Sequence, residues 1–121
     1  MPLELAELTE QVIGSCIAVH KEKGPGFLES IYENCLKIEL RHRGIKAEFQ
    51  KEVNIHYRSE LVGTHRLDVL VNDELVVELK AIKELEDVHF AQARSYLRAT
   101  GTKHGLLINF ATLTLTVKRV I

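Results

Sequence analysis

The spacing of apolar residues changes period several times along the chain, and each change marks an element. Over residues 3 to 22, Leu5, Leu8, Val12, Cys16 and Val19 recur at helical spacing, with Glu4, Glu7 and Glu10 near the start. Acids there suit the helix macrodipole, so an amphipathic helix is predicted. Gly24-Pro25-Gly26 breaks it. A second helix is predicted from about Phe27 to Arg43, with Gly44 as its C′ glycine. Leu28, Ile31, Cys35 and Ile38 form its expected apolar sector, extended by Tyr32, Leu36 and Leu40. Glu29 falls at the edge of that sector, away from Glu33, Lys37 and Arg41. From Phe49 to Tyr57 the period drops to two, as in a half-exposed strand near a sheet edge. Asp87 is a plausible N-cap for a helix from Val88 to Ala99, ended by Gly101. Strands are expected at Gly105 to Asn109 and Leu113 to Arg119.

The centre of the chain is Arg66 to Lys80. Two apolar runs, Leu67 to Val71 and Leu75 to Ala81, flank a polar break at Asn72, Asp73 and Glu74, which reads as a hairpin of two buried strands. Asp68, Glu78 and Lys80 are set into those strands, where unpaired charge is costly. Glu78 and Lys80 point to one face, roughly 6.6 Å apart along the strand. A two-residue loop would set Asp68 opposite Val77 and away from Glu78. A three-residue loop, or a five-residue one of the same parity, sets Asp68 across from Glu78. Asn or Asp tolerates the left-handed conformation that such a loop needs. The cost of spreading two acids over two buried faces favours the odd loop. On unbroken alternation Arg66 then shares the Asp68 face and His65 does not.

The predicted order is ααβββαββ, an α/β fold with a mixed β-sheet flanked by helices. The 121 residues suit one domain, spanning 1–121. Apolar residues at 45% and charged ones at 27% fit an ordinary globular protein. The net charge of −1 gives no global basic field, so nucleic-acid contact would need a local patch. The cluster Lys37, Arg41, His42, Arg43 and Lys46, with Arg94 and Arg98 elsewhere, either touches phosphates or is a solvated face. Cys16 and Cys35 lie far apart in helical patterns and are expected to be reduced core residues of a cytoplasmic protein. No apolar run reaches membrane-spanning length, and a signal-peptide pattern is not expected.

Two carboxylates facing each other across adjacent strands make an oxygen-rich corner suited to Mg²⁺ or Mn²⁺. Such an ion would relieve the Asp68–Glu78 repulsion and lower the pKa of a bound water. Lys80 is placed to orient that water or neutralise charge in a phosphodiester transition state. Glu29 could reach the ion directly or through water; alternatively it is a solvated first-turn acid. His89, Gln92 and Tyr96 share a face of the third helix. Gln92 and Tyr96 also fit plain packing residues, and His89 a surface one. The competing reading of Asp68, Glu78 and Lys80 is a buried ion-paired network without catalysis.

D-x(9)-E-L-K from Asp68 to Lys80, with an acid on a preceding helix and Gln92-x-x-x-Tyr96 on the following one, resembles the PD-(D/E)xK nuclease superfamily. The Q-x-x-x-Y element is similar to that of the RecB-like branch. Gly26-x-x-Glu29-x-x-Tyr32 resembles the small GxxExxY family. The resemblance runs from about Cys16 to the C-terminus, and no Pro precedes Asp68, where Leu67 stands. It implies a restriction-endonuclease-like core and a DNA nuclease using Mg²⁺ or Mn²⁺. It also implies metal binding at Asp68 and Glu78 assisted by Glu29, a catalytic Lys80, and positioning roles for Gln92 and Tyr96. Fold does not fix function. The alternative is an idle binding module for nucleic acid or protein, as a homodimer or as a subunit of a larger complex.

Overall fold

A computed structural model describes residues 4–121. Helix α1 is Leu5–Lys23 and α2 is Glu29–His42; the expected start at residue 3 lies outside the described residues. The remaining elements are β1 Ala47–Tyr57, β2 Glu60–Val71, β3 Leu75–Lys80, α3 Asp87–Thr100, β4 His104–Asn109 and β5 Thr116–Val120. The strands form one sheet in the order β1-β2-β3-β4-β5, with β3 and β4 parallel and every other pair antiparallel. Parallel strands need a crossover, and α3 supplies it. The fold is the mixed α/β architecture that the apolar periods predict.

The hairpin has the odd loop. Val71 pairs with Leu75, Leu70 with Val76 and Val69 with Val77, so Asn72, Asp73 and Glu74 form the connection. Asn72 and Asp73 both take left-handed backbone, φ 51° and 57°, as short polar side chains tolerate. The Glu74 N–H closes the turn on the Val71 carbonyl at 3.0 Å.

Strand alternation sorts the core onto two faces. Leu75, Val77 and Leu79 of β3 and Leu106 and Ile108 of β4 pack with α1 and α2, around Val12, Cys16, Tyr32, Leu36 and Leu40. Leu70, Val76 and Leu107 pack with Ala93, Tyr96 and Leu97 of α3. Glu78 and Lys80 follow Val76 by parity onto the α3 side. Cys16 is fully buried, and burial pushes its thiol up to about 12; Cys35 is half-buried, and both are free.

Three expectations shift. On α2 the buried stripe is Tyr32, Leu36 and Leu40, while Leu28, Ile31 and Ile38 are exposed. Two apolar stripes compete on that helix, and the one bearing the aromatic goes inside, where Tyr32 stacks on Phe110 at 4.5 Å. Helix α3 begins one residue early, with Glu86 as N-cap; its N–H is taken by His89 Nδ1 at 2.8 Å. The last strand starts only at Thr116, leaving Leu113 exposed. There Thr112 Oγ1 bonds the Thr114 carbonyl and Thr116 Oγ1, and these local side-chain bonds replace a ladder.

One irregularity matters for the site. Val69 and Val71 face α1 and α2, yet Leu67, of the same parity, packs with the α3 cluster. Across the pair, Phe49 sits with the first cluster and Val53 with the second. The break falls where Gln50 would oppose Asp68, and Gln50 has φ 53°. A left-handed residue in mid-strand breaks the ladder and rotates the rest of the hairpin. Beyond this kink, residues 54 to 66 form an exposed two-stranded arm whose tip is Arg58 and Ser59, φ 49° and 67°.

Candidate active site at the strand fork

The β2–β3 ladder ends at Val69–Val77, and the strands part at the next pair, Asp68 and Glu78. Their carboxyl groups take over the ladder's role. Asp68 Oδ2 accepts the Leu79 N–H at 2.9 Å, and Glu78 Oε1 accepts the Asp68 N–H at 3.4 Å. The two acids are therefore fixed against each other by backbone donors. Glu78 is 3% exposed and its carboxyl is pushed up to about 9, first by burial and then by the charge of Asp68. Two carboxylates confined together cannot both ionise freely.

Lys80 projects from the end of β3, and its Nζ donates to Gln92 Oε1 of α3 at 3.1 Å. Its backbone is held too: the Lys80 carbonyl accepts from the Phe110 N–H at 2.8 Å. Asn109, which pairs with Lys80 across β3–β4, clamps the exit of β3. Its Nδ2 donates to the Ile82 carbonyl at 2.8 Å and its Oδ1 accepts the Ile82 N–H at 3.1 Å.

Glu29 opens α2 close enough to the fork to feel it. Partial burial and then Asp68 raise its pKa, while Lys80 opposes the rise. The loop before it explains why Glu29 starts the helix there. Gly24 and Gly26 take φ 69° and 114°, which few other residues adopt. That loop folds over Tyr32, whose hydroxyl donates to the Gly24 carbonyl at 2.6 Å and accepts the Phe27 N–H at 3.1 Å. Within Gly26-x-x-Glu29-x-x-Tyr32, the glycine and tyrosine thus set the helix start, and the glutamate faces the site.

Tyr96 completes the floor from α3. It is 7% exposed, and burial followed by the charges of Glu78 and Asp68 raises its pKa. The His65 ring meets it edge-on at 5.0 Å between centroids. Unbroken alternation predicts Arg66 on this side. The kink at Gln50 reverses that: His65 turns toward Tyr96, and Arg66 pairs with Glu52 at the base of the exposed arm at 2.7 Å.

A family model of the PD-(D/E)XK nuclease superfamily matches residues 6–120. The chain belongs to that superfamily. The solved structure of SSO0001 shares the fold, with a TM-score of 0.61 at 20% identity, over 75% of this chain and 48% of that one. The chain thus spans about half the length of that protein over the matched region. No curated protein sequence matches.

On this PD-(D/E)XK fold the six residues singled out in the sequence, Glu29, Asp68, Glu78, Lys80, Gln92 and Tyr96, lie around one fork. They interact as described rather than scattering over the surface. Among the described residues no three His, Cys, Asp or Glu side chains are arranged to hold a metal ion, so Glu29 does not form a ready triad with the two strand acids. The sequence reading missed Glu33, one turn after Glu29. Burial raises its pKa, and among its further neighbours the charge of Asp68 raises it too; Gln50 Nε2 donates to it. His65 and Asn109 were also missed. A lone Asn closing the apolar run Gly105–Ile108 was the available signal for the clamp. His65 had none, since its turn depends on a backbone kink. No helix is long and apolar enough to cross a membrane among the described residues.

Proposed function

We propose that the chain is a metal-dependent DNA nuclease whose centre is the Asp68–Glu78 fork. The observation that carries this reading is the juxtaposition itself. Two carboxyl groups are held together by backbone donors, one of them with a raised pKa, beside a lysine that ion-pairs with neither. A divalent cation would offset the burial and the Asp68 charge that together raise the Glu78 pKa. The donor set suits Mg²⁺ or Mn²⁺, which take one or two protein carboxylates and keep waters. Bound there, the ion would supply a water of lowered pKa and polarise a phosphoryl oxygen.

The chain's own residues divide the remaining work. Asp68 and Glu78 would hold the cation, and Glu29 would assist them. Lys80 donates to a non-bridging phosphoryl oxygen or orients the attacking water, and Gln92 fixes its ammonium for either task. Tyr96 closes the floor and keeps the acids poorly hydrated. Assignment to the RecB-like branch and to the GxxExxY group is supported by Gln92-x-x-x-Tyr96 and by the way Gly26 and Tyr32 set Glu29.

The test is plasmid or oligonucleotide cleavage with Mn²⁺ by the purified protein and by Asp68→Ala. Cleavage is expected to fall by at least about a hundredfold in the variant. Equal cleavage by both proteins would refute the assignment.

A further inference from the structure

We propose that the outer side of α3 and the facing hairpin arm form a track for the phosphate backbone of duplex nucleic acid. The inference deepens the nuclease reading above and rests on it for the kind of polymer. Two grooves meet at Arg98. The first, about 360 Å³, lies between arm and helix and is lined by Asn54, His56, His65, Ser95 and Arg98 among others. The second, about 490 Å³, continues over the C-terminal end of α3 past Arg94, Arg98, Lys103 and His104. No aspartate or glutamate lines either one. In a chain of net charge −1, Arg94, Arg98 and Lys103 thus stand together with no acidic side chain lining either groove.

The track joins the site. His65 lines the first groove and rests on Tyr96, the residue that floors the fork. Arg94 and Arg98 stand one turn apart on α3, about 6 Å along its axis. Both are exposed, and neither is in an ion pair among the described residues. The rival basic surface is a groove of about 600 Å³ at the C-terminal end of α2. Its cations are more committed: Lys46 pairs with Asp73 at 3.2 Å, and Lys37 lies over the Phe49 ring at 5.2 Å. That groove is also at the far end of α2 from Glu29, about 20 Å away by helical rise. Neither α3 groove is lined by Phe, Tyr or Trp, and the cations Arg94, Arg98 and Lys103 offer charge and donors to phosphates.

The experiment is fluorescence anisotropy of a labelled duplex DNA oligonucleotide over a salt series in EDTA. It compares the intact protein with Arg94→Gln/Arg98→Gln and with Arg41→Gln from the rival groove. Thermal melts confirm that these surface variants fold. Loss of two phosphate contacts should reduce the slope of log K against log salt by about 2 in the double variant. Arg41→Gln should leave the slope unchanged. An unchanged slope in the double variant, a loss confined to Arg41→Gln, or no salt-dependent binding by the intact protein would each overturn the track. Mn²⁺-dependent cleavage is measured separately. Absent cleavage with the slope change intact would remove the nuclease reading and leave the track standing.

Discussion

The two faces of the sheet are built from alternate residues of the same strands, and they differ in what they tolerate. Toward α1 and α2, β3 presents Leu75, Val77 and Leu79, all at most 1% exposed, and the Tyr32–Phe110 stack adds to the same cluster. Toward α3 the same strand presents Val76, then Glu78, then Lys80. One residue step separates a fully apolar layer from a layer that turns ionic along its length. On β3 the purely apolar face is the one that carries neither Glu78 nor Lys80. The acids are accommodated where β2 and β3 have parted and backbone donors are free to meet them.

If the layers are separable in this sense, damage to one should leave the other's property intact. Leu36→Ala, in the apolar layer, should destabilise the fold by about 2–5 kcal/mol. Urea denaturation measures that, and cleavage per folded molecule should stay close to the unaltered level. A specific loss of activity in the folded fraction would show that the layers are coupled.

Glu78→Gln probes the ionic layer. The folded-state pKa of Glu78, about 9, lies above its ordinary value of 4.5. Between those values the folded chain binds more protons than the unfolded chain, so metal-free stability falls as pH rises and levels off above about 9. Glu29 and Glu33, also raised, add to the same slope. Replacing Glu78 should flatten most of that dependence and stabilise the metal-free protein at alkaline pH by on the order of a few kcal/mol. Melts from pH 5 to pH 9 on both proteins test it; parallel curves would refute a strained acid.

The smallest expected effect is at the rim. Gln92 is exposed, and among the described residues its one tertiary side-chain bond is to Lys80. Gln92→Ala should leave stability within about 0.5 kcal/mol. It should lower cleavage by about tenfold through a less fixed ammonium, well short of the loss from removing a transition-state donor outright.

The legible part of the fold was its periodicity. Element order, the mixed sheet and the odd hairpin loop followed from spacing and from the cost of scattering two buried acids. Residues that read poorly were those decided by competition or by backbone conformation. On α2, Ile31 and Ile38 are as apolar as Leu36 and Leu40, and tertiary partners such as Phe110 choose between the stripes. Leu113 and Leu115 alternate like a strand, yet Thr112 ties the backbone locally first. Gln50 carries no propensity for φ 53°, so the rotation that exchanges Arg66 for His65 beside Tyr96 could not be read from alternation. The juxtaposition of Asp68 and Glu78 in the candidate site was legible because charged residues stand out against strands. Its supports, Asn109 and His65, were not, being ordinary residues made useful by their surroundings.

If Asp68 and Glu78 share one cation at the fork, thermal unfolding with and without Mn²⁺ will reveal it. Ligand binding to the folded state raises the melting temperature by mass action. The intact protein should melt higher in Mn²⁺ than in EDTA, and Glu78→Gln should lose most of that rise. No rise in the intact protein, or an equal rise in both, would mean that the two carboxyl groups do not share an ion.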